Sequence, residues 1–352
     1  MAAASSLIAA LEAAVAQDLG KRGVSHLLKQ GGLAQAAQYF KDAPSVLILT
    51  GFPCVQSEPP TENDGASLLP AEMSQECLSS GEMLAGISGS LALARAALIM
   101  GKTVAIVTDD CNGDVLKGCL TCDEYWGELA SQQPAGVAPV DVHTFPPKSA
   151  WDETQENKLQ NLSARFTHFV SVERAGAAAN GSYLTMRGRS MNDLIAPLDT
   201  IYTTYAPAQG ATTTGVGDGG NELGMGAVFE AVKTHIPLGD QIACATSCDA
   251  LVAAGVSNWG AWGIVAAAHV LGGAPAAQQC ALLPSEVAET AMADVMAATG
   301  CCDGILGKPG RTVDGMGWHV HTHKLNQLHS IAGAQDADAA AFDGSVSPDA
   351  SP

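Results

Sequence analysis

Between residues 40 and 275 the chain alternates short β-branched runs with longer amphipathic stretches. "SVLILTGF" (45–52), "TVAIVTDD" (103–110) and "THFVSVERAG" (167–176) are apolar runs of strand length that end in polar or glycine-rich residues. "ATTTGVGD" (211–218) and "QIACATSCDALVAAGVS" (241–257) supply further strands. Between them, "GSLALARAALIMG" (89–101), "WDETQENKLQNLSARF" (151–166) and "MGAVFEAVKTH" (225–235) are predicted helices. Leu7, Leu11, Val15 and Leu19, spaced by four, predict another helix at the start. Such alternation predicts an α/β fold: a mainly parallel, Rossmann-like sheet, doubly wound, with helices on both faces. One domain over 1–332 is expected. Residues 66–88 and 111–139 carry little periodicity and look like decoration, while 333–352, acidic and alanine-rich, is expected to be a disordered tail.

Composition narrows the function classes. Thirty-six acidic against seventeen basic residues give a formal charge of −19, which repels phosphate backbones and argues against nucleic acid as a partner. No apolar run reaches the roughly 20 residues that a spanning helix needs, so no membrane association is expected. The first residues lack a basic-then-apolar signal layout, and ten cysteines in a chain this size fit reduced thiols; the cytoplasm is the expected location. Cys119 and Cys122 form a C-x-x-C without a second pair at zinc-ribbon distance, and Cys244, Cys248, Cys301 and Cys302 sit among apolar neighbours; all read as packed thiols. "HVHTH" would align His319, His321 and His323 on one side of a strand, a spacing open to metal but lacking accompanying carboxylates or cysteines.

The strand ends hold the chemistry. In open parallel sheets ligands bind beyond the carboxyl ends of the strands. Here those ends read "GFPCVQSEPPTENDG", "TDD", "ERAG", "GDGGNE" and "GVSNWG". The stretch "GVGDGGNELGMG" (215–226) is half glycine, as a phosphate loop would be, yet no Lys-Ser or Lys-Thr follows, and Asp218 and Glu222 would repel an anion. Asp218, Asn221 and Glu222 instead form a hard oxygen set suited to Mg²⁺ or Mn²⁺ or to an ammonium group; alternatively Asn221 caps a helix and the carboxylates are solvated. Glu173 and Arg174 stand where a strand exits and Arg187 follows, either reading a substrate carboxylate or forming ordinary ion pairs. Ser257 in "GVSNWG" departs from the G-x-S-x-G elbow, which excludes a serine hydrolase of that type.

Taken in order, "DLGKRG" (18–23), "LTGF" (49–52), "PPTENDG" (59–65), "GSLALARA" (89–96), "VTDD" (107–110), "VERAG" (172–176), "YLTMRG" (183–188), "APLD" (196–199), "GVGDGGNELGMG", "AGVSNWG" (254–260), "LLPSE" (282–286) and "TVDG" (312–315) resemble the C-terminal domain family of D-glutamate cyclase. That resemblance implies conversion of D-glutamate to 5-oxo-D-proline with loss of water. It implies Asp218 and Glu222 as metal or ammonium ligands, Glu173 as base, Arg187 as partner of the substrate's α-carboxylate, Asn221 and Asn258 as orienting amides, and Asp64 as a carboxylate at the rim. The implied cofactor is a divalent cation, Mn²⁺ or Mg²⁺, and no nucleotide cofactor is expected. Animal relatives carry an additional N-terminal domain, so a homo-oligomer or a separate partner domain is also expected. The match begins near residue 11, leaving little room for a cleaved leader, although the mitochondrion is the alternative location. Two other readings stand beside the enzyme: a non-catalytic module that binds an acidic amino acid or nucleotide beside a separate catalytic chain, and a metal-dependent hydrolase or phosphotransferase on the same fold.

Overall fold

The computed structural model describes residues 2–53, 84–130, 140–272 and 282–333. Six parallel strands form its centre: β1 (Ser45–Thr50), β2 (Thr103–Asp109), β3 (Asp141–Phe145), β4 (His168–Val172), β5 (Thr212–Gly217) and β6 (Ala250–Ala253). Their order is β3-β2-β1-β4-β5-β6, with every neighbouring pair parallel. This is the doubly wound order, and its direction reverses between β1 and β4.

Alternation along each strand sends side chains to two cores. Val46 and Ile48 of β1, Val104 and Ile106 of β2, and Val170 and Val172 of β4 enter the larger core. Their neighbours Leu47, Leu49, Ala105, Val107 and Phe169 enter the smaller one on the opposite face. Both faces are therefore covered, which explains why the strands read as continuous apolar runs.

On the larger face lie α1 (Ala2–Val15), α2 (Gly32–Asp42), α3 (Leu84–Ile99), α4 (Gly113–Cys119) and α5 (Asp123–Ala130). α6 (Glu153–Ser163) covers the smaller face, joined by a π-turn at Ile201–Tyr205 that runs into α7 (Ala206–Gln209). Two short helices, α8 (Phe229–His235) and α9 (Gly239–Ile242), follow β5, and α10 (Ser257–Val270) follows β6. α10 is buried from Ser257 to His269, as a helix apolar on every side must be, and it packs between α3, α2, α1 and α12 (Trp318–Gly333). α11 (Glu286–Ala298) and a hairpin of β7 (Thr312–Val313) and β8 (Met316–Gly317) precede α12.

Several expectations change. Residues 111–130 are not peripheral: α4 and α5 bury Val115, Leu116, Cys119, Cys122 and Tyr125 in the larger core. Helices of seven and eight residues are too short for a period to show. "HVHTH" lies in α12, not in a strand, so His321 is buried, accepting from Trp259 Nε1 at 3.1 Å, while His319 and His323 are exposed on another face. Leu19 lies beyond the end of α1, although Leu7, Leu11 and Val15 are buried as expected. Asp64, most of 66–88 and the expected C-terminal tail lie outside the described residues.

Candidate functional site

The reversal between β1 and β4 opens a crevice at the carboxyl edge of the sheet. Glu173 follows β4 directly, Asp218 follows β5, and Ser257 and Asn258 begin α10 just after β6. All four are buried, as is Glu222, four residues beyond Asp218. Glu173, Asp218 and Glu222 each bring an oxygen within 4.8 Å of the others. Glu173 takes a positive φ of 45°, an uncommon conformation for a residue with a Cβ. Gly86 of α3 makes room for it: a Cβ there would stand 2.5 Å from that of Glu173.

The glycine-rich loop folds around its own carboxylate. Glu222 Oε1 accepts from the N–H groups of Asp218 (3.3 Å) and Gly219 (2.8 Å), and Oε2 accepts from that of Gly220 (2.6 Å). Gly220, at φ 108° and pressed against Val232, admits no side chain. The N–H groups that would cradle a phosphate in a P-loop are thus spent on Glu222, which physically supports rejecting a phosphate loop.

Burial and mutual repulsion load the cluster with protons. Burial, then the charges of Asp218, Glu222 and Asp314, holds the Glu173 carboxyl well above the usual range; the Ser257 hydroxyl donating to Glu173 Oε2 works the other way. Glu222 is lifted to about 7 by burial and Asp218, against the pull of the loop N–H groups. Asp314, at the turn between β7 and β8, is lifted to about 8 by burial and Asp218, with Arg22 opposing. Arg22 Nη2 meets Asp218 Oδ2 at 2.9 Å, Asp314 Oδ2 at 3.1 Å and the Gly255 carbonyl at 3.0 Å. Burial alone would weaken Arg22 as a base, yet Asp218, Asp314 and Glu173 together leave its pKa raised. Four buried carboxylates against this one guanidinium leave an excess of negative charge, which must be met by protons or by a bound cation. Hard oxygen ligands in that arrangement fit Mg²⁺ or Mn²⁺. Two buried acceptors of this site, Asn221 Oδ1 and Asp314 Oδ1, have no hydrogen-bond partner among the described residues.

The structure therefore gathers Glu173, Asp218 and Glu222, sets Asn258 next to Ser257 at the start of α10, and sets Asn221 in the glycine-rich loop with its amide donating to the Leu184 carbonyl at 2.7 Å. Asn258 Oδ1 accepts from Gly86 N (2.8 Å) and Gly89 N (3.0 Å), so it ties the start of α3 to α10. Arg187 is exposed at the tip of a turn closed by the Leu184–Ser190 bridge. Arg174 is buried against Asp109 at the end of β2 and donates to the Ala196 carbonyl at 2.9 Å; it braces strand ends rather than facing a ligand. Sequence reasoning assigned no role to Arg22 or Asp314. The one local signal was Asp314-Gly315 between two strand-like pairs, the signature of a two-residue hairpin turn.

A family model described as "D-glutamate cyclase-like, C-terminal" matches residues 11–71 and 85–329. Human "D-glutamate cyclase, mitochondrial" is 33% identical over 355 residues, an alignment that covers 94% of this chain and 53% of that protein. The chain thus spans about half the length of the curated relative it matches.

Proposed function

The chain belongs to the D-glutamate cyclase-like C-terminal family, and from that membership we propose that its carboxylate cluster converts D-glutamate to 5-oxo-D-proline and water. The observation that carries this reading is the convergence of Glu173, Asp218 and Glu222, all buried, at the strand ends beside the reversal point. Closing the ring forms a bond from the amine nitrogen to the carbon of the γ-carboxyl group (Cδ) and breaks one of that carbon's bonds to oxygen. The ammonium must give up two protons, and the departing oxygen must take them to leave as water.

Neighbouring carboxyls with raised and unequal proton affinities suit that exchange. Glu173, whose proton affinity is raised by burial and by the neighbouring carboxylates, would serve in its protonated form as donor to the leaving oxygen and in its ionised form as the expected base. In the cation-free site Glu222, near 7, exists in both forms and is suited to receive the amine proton, whereas with a cation bound it would serve as an ionised ligand instead. A divalent cation held by Asp218 and Glu222, with Glu173 beside them, would supply charge stabilisation at the γ-carboxyl oxygen. Asn221 Oδ1 would accept from the amine, and the exposed Arg187 would be an outer contact for the substrate's α-carboxylate. Folding the substrate back so that the amine and the γ-carboxyl carbon meet contributes on the order of 7 kcal/mol through orientation alone.

The test is incubation of the purified chain with each glutamate enantiomer, with and without Mn²⁺ or Mg²⁺, and detection of 5-oxoproline. Wild type should yield product from D-glutamate, and Glu173→Gln should lower kcat about a hundredfold or more. Undiminished turnover by the variant would exclude Glu173 from the chemistry. Because the chain spans half of its relative, a second reading is a binding module working with another domain or subunit; thermal stabilisation by D-glutamate without product would favour it. We infer a cytoplasmic location, with the mitochondrion as the alternative raised by the human relative's name.

A further inference from the structure

The groups around Asp218 come from both ends of the chain. Arg22 lies in the loop after α1 and Asp314 in the hairpin before α12, 292 residues apart. Each is held by an aspartate that organises its own loop. Asp18 accepts from the N–H groups of Arg22 (2.9 Å), Gly23 (2.8 Å) and Val24 (3.2 Å). Asp303 accepts from those of Ile305 (2.8 Å), Leu306 (2.9 Å) and Gly315 (2.8 Å), fixing the turn that presents Asp314. The first loop is also pinned to the start of α10: Gly255 N donates to the Val15 carbonyl at 2.8 Å, and a Cβ on Gly255 would stand 2.0 Å from the Gln17 carbonyl oxygen.

Asp218 Oδ2 receives Arg22 Nη2, the Ser257 N–H at 3.1 Å and the Ser257 hydroxyl at 3.5 Å. None of the hydrogen bonds among the described residues falls on its other oxygen. Arg22 thus fixes one oxygen of Asp218, and with it the direction in which the other points. Asp314 Oδ1 is a buried acceptor with no partner among the described residues.

We propose that Arg22 and Asp314 are positioning residues of this site: Asp314 holds Arg22, Arg22 holds Asp218, and the orientation of Asp218 governs turnover. The proposal rests on the cyclase reading above and extends it to two residues that the strand-end argument did not reach. Asp314→Asn is a conservative probe, because Asn tolerates the φ of 53° at that position and keeps the side-chain shape while replacing one carboxyl oxygen with an NH2 group that cannot pair with Arg22 as a carboxylate does.

Arg22→Gln, Arg22→Lys, Asp314→Asn and the double variant Arg22→Gln/Asp314→Asn would be assayed as full chains for 5-oxoproline formation, with thermal midpoints recorded in parallel. Arg22→Gln and Asp314→Asn should each lower kcat at least tenfold while KM stays within threefold. Arg22→Lys should recover part of the loss, and the double variant should be no slower than the slower single one, since both act through Asp218. Folded single variants with wild-type kcat would overturn the proposal and leave the cyclase reading standing. A wild-type chain that binds D-glutamate but forms no product would overturn both.

Discussion

Stability without a bound cation should fall as pH rises through neutrality. Glu222 has a folded pKa of about 7 against an ordinary value of 4.5, caused first by burial and then by Asp218. A carboxyl whose folded pKa is raised binds its proton more tightly in the native state. Its stabilising effect is complete below about 4.5 and disappears as pH climbs through 7, because the unfolded chain has already released the proton. From 4.5 to about 7, at about 1.4 kcal/mol per pH unit, the loss is on the order of 3 kcal/mol. Asp314, at about 8 against 3.8, adds a slope of the same sign over a wider window that extends to about pH 8. For a domain this size, roughly 2 °C per kcal/mol translates the Glu222 contribution into a fall of about 5 °C. The assay is thermal unfolding in EDTA from pH 5 to pH 8.5, repeated with Glu222→Gln. Wild type should lose several degrees across the range and the variant should show a shallower slope. A midpoint that holds steady or rises with pH in wild type would refute the account of proton-loaded carboxylates.

If a divalent cation is the resident counter-charge, Mn²⁺ at about a hundred times its Kd should stabilise the fold by about 2.7 kcal/mol, and Asp218→Asn should abolish that gain in a thermal-shift titration. The Asp109–Arg174 pair makes a different claim, because both partners are fully buried and brace strand ends outside the carboxylate cluster. Asp109→Asn should cost about 3 kcal/mol or more in denaturant unfolding, by leaving a guanidinium without its counter-charge.

The strands around the reversal point were legible because they are buried on both faces and their β-branched residues run together. β3 was not: "DVHTF" lies at the sheet edge, half-exposed, so its polar residues mask a strand. α12 was hidden for a related reason. His321, Lys324 and Gln327 occupy its buried face, and a helix that buries polar groups shows no apolar period. Lys324 is tolerated there because it donates to the Ala14 carbonyl, Gln17 Oε1 and Gln327 Oε1 at 2.7–2.8 Å, while burial lowers its pKa to about 8. Of the site, Glu173, Asp218, Glu222 and Asn258 could be read from their places after strands. Arg22 and Asp314 lie on loops outside the sheet, and only the tertiary fold brings them to Asp218.

The tie between Arg22 and Asp314 also bears on biosynthesis. During vectorial synthesis the amino-terminal half of the pair must wait until almost the entire described chain has left the ribosome. Contacts of such long range form late in folding, so a nascent or truncated polypeptide holds an incomplete pocket. On the proposed function, turnover would then report a finished fold, since a polypeptide lacking Asp314 leaves Arg22 without that partner.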